Sequence, residues 1–80
     1  MNILYSPKFA KQYSKLPHDI KRIMEEKESM FRSNPLDARL KTHKLHGKFS
    51  GFLAFSLNYK YRIIFDYAEN KKDVRFHSVG

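Results

Sequence analysis

The chain has 80 residues, no cysteine, and a formal net charge of +8 from 16 Lys and Arg against 8 Asp and Glu. This length allows one domain with a small core, and the lack of cysteine excludes a disulfide framework, a thiolate metal site and a cysteine nucleophile. Seven Phe, five Tyr and no low-complexity tract indicate a folded protein, and the charge favours an anionic partner such as nucleic acid.

The first residues predict a strand and the start of a helix. Residues 2 to 5 form a short apolar segment, and Ser6 followed by Pro7 is a typical helix start, because Ser caps free N–H groups and Pro lacks one. We see no basic stretch followed by a long apolar run, so we expect a cytoplasmic protein without an export signal or membrane span.

Two helices follow, each with one apolar stripe. Phe9, Tyr13 and Leu16 form the first stripe at helical spacing, and Pro17 ends that helix and begins the next. The second stripe continues to Pro35, where the helix is expected to stop because the residue before a proline avoids the helical region. The two helices are predicted to form a hairpin.

The second half of the sequence has the pattern of strands. The segments FLAFSL at 52–57, YRIIFDY at 61–67 and VRFHSV at 74–79 are rich in aromatic and branched residues and predict an antiparallel meander. The strand at 2–5 can add to it as a fourth. The element order βααβββ predicts a two-layer α+β fold, with the helical hairpin on one face of a four-stranded, mainly antiparallel sheet. The other face is expected to stay open to solvent or a partner.

Positive charge is concentrated in the middle of the chain. Residues 38–65 contain six Lys and Arg but no Asp or Glu. A solvated surface is the ordinary explanation for a single run of lysines, whereas an acid-free window of this length favours an interface with an anionic partner. The residues predicted to bind an RNA backbone are Arg39, Lys41, Lys44, Lys48 and Lys60.

Two histidines lie within this basic window, in the segment KTHKLHGK. Imidazole transfers protons near neutral pH, and neighbouring lysines stabilise an anionic substrate, so His43 and His46 are candidates for RNA cleavage. The alternative is that both are ordinary surface residues. A metal site is less favoured because the pair lacks Cys or carboxylate partners, and no cofactor is expected. His18 and His77 are each predicted to be structural.

Arg62 is the candidate phosphate-binding residue. Alternation along its strand places Arg62 and Asp66 on the less aromatic side. An arginine rooted on a strand has a rigid base and a planar fork of donors that matches a phosphate. Alternatively, Arg62 extends from the sheet edge or pairs with Asp66. Tyr59 and Tyr61 can stack on bases or belong to the core.

The order βααβββ, the segment RLKTHKLHGKFSG, the strand pair FLAFSLNYKYRIIFDY and the ending VRFHSVG together resemble the RelE/ParE toxin superfamily of type II toxin–antitoxin systems. The resemblance covers essentially the whole chain and implies a single toxin domain over residues 1–80. In RelE-like and YafQ-like members it implies an endoribonuclease that cuts mRNA on the ribosome without a metal. It also implies a cognate antitoxin that covers the basic face.

Individual residues match the family unevenly. Arg62 matches the strand arginine that contacts the scissile phosphate in RelE-like members, and His43 matches a catalytic histidine of YafQ-like members. Members usually continue past the terminal SVG with a short strand that completes the site, which we expect this chain to lack. The alternatives are therefore an inactive or truncated relative that only binds antitoxin, or a ParE-like gyrase inhibitor. Family catalytic residues are replaced at Leu53, Phe55, Ser56 and Lys60.

Overall fold

The computed structural model describes all 80 residues, Met1–Gly80, and confirms the α+β class and the helical hairpin. Neither helix has the length and apolar character needed to cross a membrane. Two short 3₁₀ turns, Ala38–Leu40 and Gly47–Phe49, flank the first strand that follows the helices. The elements are β1 Ile3–Tyr5, α1 Pro7–Ser14, α2 His18–Ser33, β2 His43–Lys44, β3 Leu53–Ser56, β4 Arg62–Tyr67 and β5 Val74–Val79.

The helix boundaries lie where the local sequence signals predicted them. The Ser6 side chain caps α1 by accepting a hydrogen bond from the Phe9 N–H at 2.9 Å. Pro17 stands directly before the first residue of α2. The second helix ends at Ser33, and Asn34 is extended, as expected for the residue before a proline.

The sheet has five strands rather than the predicted four, in the order β1-β5-β4-β3-β2. Strand β1 is parallel to β5, and the other neighbours are antiparallel. The unpredicted strand is β2, inside the basic segment, where His43 pairs with Ala54 and Lys44 with Leu53. Both residues of β2 are polar, so the sequence shows no alternating apolar pattern there. An edge strand of this kind is held by backbone hydrogen bonds and is commonly short and charged.

Both helices pack on one face of the sheet, and the core between the layers is aromatic. Phe31 of α2 lies at its centre, with its ring centroid 4.9 Å from that of Phe55, 5.0 Å from Phe65 and 5.6 Å from Phe76. These four side chains are fully buried, and the core contains no buried polar or charged residue. The side chains at the centre of the helix-covered face therefore stabilise the fold by apolar burial.

Strand β5 departs from regular alternation. Phe76 and Val79 are both buried although they are three residues apart, an odd spacing that places side chains on opposite faces of a regular strand. The pairing with β4 shifts by one residue here, and His77 is the extra residue of a β-bulge. The bulge returns Val79 to the core and leaves both His77 and Ser78 on the opposite face.

Candidate functional site

The face of the sheet opposite the helices carries the polar side chains of the central strands. On β4, Ile63 and Phe65 are fully buried under the helices, so the alternating residues Arg62, Ile64 and Asp66 lie on the opposite side. We call this surface the open face. Its main side chains, from β2 across to β5, are His43, Phe52, Ala54, Ser56, Arg62, Ile64, Asp66, Ser78, His77 and Arg75.

His43 stands on the open face with a defined proton arrangement. Its Nδ1 lies 2.9 Å from the backbone carbonyl oxygen of Lys41. A carbonyl oxygen can only accept, so in the neutral ring Nδ1 carries the hydrogen and Nε2 has the free lone pair. The side chain is exposed, so Nε2 is available to take a proton from a bound substrate.

Lys41 holds this carbonyl in place through an unusual backbone conformation. Its φ of 54° and ψ of 40° lie in the left-handed region, which costs a residue with a Cβ about 1–2 kcal/mol. The turn is closed by the Lys41 N–H, which donates to the Ala38 carbonyl oxygen at 3.2 Å. This closed left-handed turn fixes the position of the carbonyl oxygen to which His43 bonds.

Arg62 is the unpaired cation of the open face. It is exposed and forms no ion pair, and the alternative pairing with Asp66 is absent because Asp66 bonds to other residues. Its backbone is anchored by two hydrogen bonds with Gly80, of 3.1 and 3.2 Å. Arg62 pairs with Ser56 and His43 with Ala54, so strand spacing places their Cα atoms about 12 Å apart across β3. Both side chains can therefore reach one phosphate.

Asp66 forms the centre of a second polar cluster on the open face. Arg75 donates to it through Nε at 3.2 Å and Nη2 at 2.9 Å, and His77 Nε2 lies 2.8 Å from its Oδ1. Burial is the largest influence on the pKa of the Asp66 carboxyl and raises it, but the hydrogen bonds from Arg75 and His77 together hold the pKa below its usual range. Asp66 is therefore ionised at neutral pH and compensates the charge of Arg75.

The predicted RNA-binding residues differ in how free their charges are. Arg39 donates to Asp37 through both Nε and Nη2, at 3.0 and 2.8 Å, and these hydrogen bonds lower the pKa of Asp37 to about 2. The charge of Arg39 is thus already compensated. None of the predicted lysines forms an ion pair, and Lys48 and Lys60 lie over the Phe49 and Tyr61 rings, 5.5 Å from each centroid.

The structure does not bring every predicted site residue together. His46 is exposed and extended, and because it lies three residues after His43, alternation places it on the opposite side of the chain. Lys44 likewise alternates away from the open face at the sheet edge. No cluster of three or more His, Asp or Glu side chains is arranged to bind a metal ion.

His77 lies on the open face, although the sequence predicted only a structural role for it. Its ring is held by Asp66 and by an edge-on contact with Phe52, with ring centroids 4.7 Å apart. The spacing of Val74, Phe76 and Val79 contains a usable signal, because three apolar residues at offsets of two and three imply a bulge between the last two.

No protein-family model matches the sequence, and no curated protein matches it either. Solved structures do match in fold. YafQ from Escherichia coli BL21(DE3) superposes with a TM-score of 0.77 at 24% identity, over 99% of this chain and 90% of that one. A YoeB/ParE toxin from Agrobacterium tumefaciens gives 0.81 at 10% identity, over 99% and 95%. The archaeal RelE–RelB complex from Pyrococcus horikoshii OT3 gives 0.77 at 18% identity, over 98% and 90%.

These structures are toxins of toxin–antitoxin systems of the RelE/ParE type. The chain therefore has the RelE/ParE toxin fold, which confirms the resemblance at the level of fold.

Proposed function

We propose that this protein is the toxin of a type II toxin–antitoxin pair and acts as an endoribonuclease that cuts mRNA on the ribosome. One observation carries the proposal: Arg62 and His43 lie on the same uncovered face of the sheet. Arg62 is a cation without an ion-pair partner in the protein, and the Nε2 atom of His43 is free. The fold shared with YafQ, YoeB and RelE supports the same conclusion.

The proposed reaction uses His43 as the base and Arg62 as the phosphate clamp. His43 Nε2 removes the proton from a ribose 2′-hydroxyl, and the 2′-oxygen attacks the adjacent phosphorus. Arg62 stabilises the added negative charge through its fork of N–H donors. The bond from phosphorus to the 5′-oxygen then breaks, and this oxygen takes a proton. The products are a 2′,3′-cyclic phosphate and a free 5′-hydroxyl.

The lysines of the basic segment supply the attraction to RNA in this proposal. Lys41 and Lys48 lie in the turns that flank β2, and Lys60 lies in the turn between β3 and β4, so these cations border the open face. Lys44 adds charge at the same sheet edge, and none of the four lysines forms an ion pair. Their contacts with phosphates would release counterions, so binding should weaken steeply with salt. A ribosomal target places the protein in the cytoplasm.

A cognate antitoxin is the second proposed partner. The E. coli DinJ–YafQ and P. horikoshii RelE–RelB structures are toxin–antitoxin complexes. For this chain we propose an antitoxin that lies over the open face and its basic border, where it would block both Arg62 and His43. Acidic side chains on the antitoxin would complement the unpaired cations.

The test combines growth arrest with a direct assay of cleavage. Ribosomes carrying a defined mRNA are incubated with wild-type protein, and the cut ends are mapped. We expect cleavage by wild type, loss of about 10²–10⁴-fold in His43→Ala, and a comparable loss in Arg62→Ala. His18→Ala is the matched control, because His18 lies at the start of α2 and makes no side-chain hydrogen bond.

The alternatives predict different outcomes in the same assay. A ParE-like gyrase inhibitor would arrest growth with intact mRNA and inhibited DNA supercoiling. A relative that only binds antitoxin would neither arrest growth nor cut mRNA. The antitoxin-binding alternative has a structural basis, because Leu53 and Phe55 stand at positions that are catalytic in the family and pack into the apolar core instead. Equal toxicity of wild type, His43→Ala and Arg62→Ala would refute the assigned site.

A further inference from the structure

The ring of His77 has one nitrogen bonded and one free, in the reverse order to His43. Its Nε2 lies 2.8 Å from Asp66 Oδ1, and an ionised carboxylate can only accept, so Nε2 carries a hydrogen. Nδ1 has no hydrogen-bond partner in the protein. Since no buried side-chain nitrogen or oxygen lacks a partner, Nδ1 must reach the surface of this one-third-exposed side chain.

The backbone that carries His77 is held from outside the sheet. Strand β1 ends beside Phe76, and α1 completes the remaining edge of β5. The Ser6 hydroxyl donates to the His77 carbonyl oxygen at 2.7 Å, and the Gln12 side-chain oxygen accepts from the Val79 N–H at 2.9 Å. Together with the Phe52 contact, these bonds fix both the bulge and the ring. Such support from several elements is what a precisely positioned functional side chain requires.

The two histidines lie on opposite sides of β4, the strand that carries Arg62. His43 is on the β2 side, across β3, with the two Cα atoms about 12 Å apart. His77 is on the β5 side, on the adjacent strand, and the pairing of Ser78 with Ile64 places its Cα about 10 Å from that of Arg62. His43 and Ser78, the neighbour of His77, both belong to the cross-strand row of Ile64, two residues along β4 from Arg62. A phosphate that Arg62 holds above Ile64 would therefore have one imidazole on each side.

We infer that His77 is a second catalytic residue of the open face and acts as the general acid, with Asp66 as its positioning residue. The inference rests on the proposed endoribonuclease function, in which the attacking 2′-oxygen and the leaving 5′-oxygen lie on opposite sides of phosphorus. As the bond to the 5′-oxygen breaks, protonated His77 donates its Nδ1 proton to that oxygen. His43 has meanwhile taken the 2′-hydroxyl proton, and exchange with water restores both rings.

His77→Gln is the variant that separates catalysis from structure. The glutamine amide N–H can keep the hydrogen bond to Asp66 but cannot donate a proton to the leaving oxygen. We expect cleavage of ribosome-bound mRNA to fall about 10²–10⁴-fold, while the thermal midpoint stays close to that of wild type. His18→Gln carries the same substitution away from the open face and should cleave at the wild-type rate.

The pH dependence of cleavage gives a readout that a purely structural role would not change. A base that must be deprotonated and an acid that must be protonated produce a bell-shaped profile. His77→Gln should lose the decline at high pH, and His43→Gln should lose the decline at low pH. The charged groups that face His77 are Asp66 of β4 and Arg75 of β5, both retained in this variant.

Three results would overturn the inference. If wild type cleaves mRNA and His77→Gln cleaves at the same rate, the acid assignment fails while the endoribonuclease function stands. If the residual activity of His77→Gln keeps an unchanged bell-shaped profile, His77 is structural. If wild type cleaves no mRNA, the proposed function itself fails, and the role of His77 fails with it.

Discussion

The two faces of the sheet in this protein are built on opposite principles. Under the helices, four phenylalanines are fully buried and no polar or charged residue is buried. The contacts on that face are therefore all apolar, and they stabilise the fold. On the open face, Arg62 lacks an ion-pair partner, whereas His43 and His77 each have one ring nitrogen bonded and the other free. The difference teaches that polar chemistry can be concentrated on one face because the other face alone encloses the core.

The largest effect is expected from a cavity in the covered face. Phe31→Ala removes the ring that contacts three other buried phenylalanines and should lower the free energy of unfolding by about 3–5 kcal/mol. Urea denaturation followed by circular dichroism measures this loss, and Phe31→Leu should lose much less. A loss under about 1 kcal/mol in Phe31→Ala would contradict the assignment of Phe31 to the centre of the core.

A substitution on the open face should reverse this pattern. Arg62→Ala should leave the free energy of unfolding within about 0.5 kcal/mol of wild type, because the side chain is exposed and unpaired. It should nevertheless reduce cleavage by about 10²–10³-fold, as expected for the loss of a donor to the transition state. Arg62→Lys keeps the charge without the planar fork and should be intermediate. Comparable losses of stability in Arg62→Ala and Phe31→Ala would break the contrast between the faces.

Asp66 is the open-face residue that should contribute to stability, and its contribution should depend on pH. Its pKa is lowered in the folded protein, so the carboxylate stabilises the fold fully above the unfolded pKa of about 3.9. As pH falls through the lower folded pKa, this contribution is lost. Asp66→Asn should therefore cost about 1–2 kcal/mol at pH 7, and the gap from wild type should narrow on acidification.

Urea denaturation of both proteins across this pH range measures the gap. Glu26→Gln is the matched control, because Glu26 is exposed in the middle of α2 and forms no ion pair, and its gap should stay small at every pH. A gap between wild type and Asp66→Asn that stays constant down to the lowest pH would show that the carboxylate charge is not what stabilises the cluster.

A small effect on stability is also expected at Lys41. Glycine relieves the cost of the left-handed conformation but increases the freedom of the unfolded chain, so Lys41→Gly should change the free energy of unfolding by only about 0–0.5 kcal/mol. The same variant loses one cation beside His43. The slope of log binding constant against log salt concentration for RNA should therefore fall by about 1.

Lys41→Asn provides a second measurement, because asparagine tolerates the left-handed region and is also uncharged. The two variants should show the same reduced slope. An unchanged slope in both would remove Lys41 from the RNA-binding surface.

Much of the fold could be predicted from the sequence because its signals are local. Ser6, Pro7, Pro17 and Pro35 set the helix boundaries through backbone chemistry that acts within a few residues. The segments rich in aromatic and branched residues likewise predicted β3, β4 and β5. The fifth strand escaped prediction because His43 and Lys44 join the sheet by pairing with Ala54 and Leu53, eleven and nine residues along the chain, and no side-chain pattern records such backbone pairing.

The candidate site divides in the same way. The sequence by itself identified Arg62 and His43 as residue types suited to phosphate binding and proton transfer, and it located the acid-free basic window around them. Only the tertiary structure decided which charges are free. Asp66 bonds to Arg75 and His77 rather than to Arg62, and Arg39 is neutralised by Asp37. Which charged residues form ion pairs depends on the order of the strands and on a one-residue bulge in β5. Both arise from packing between segments that are far apart in the chain.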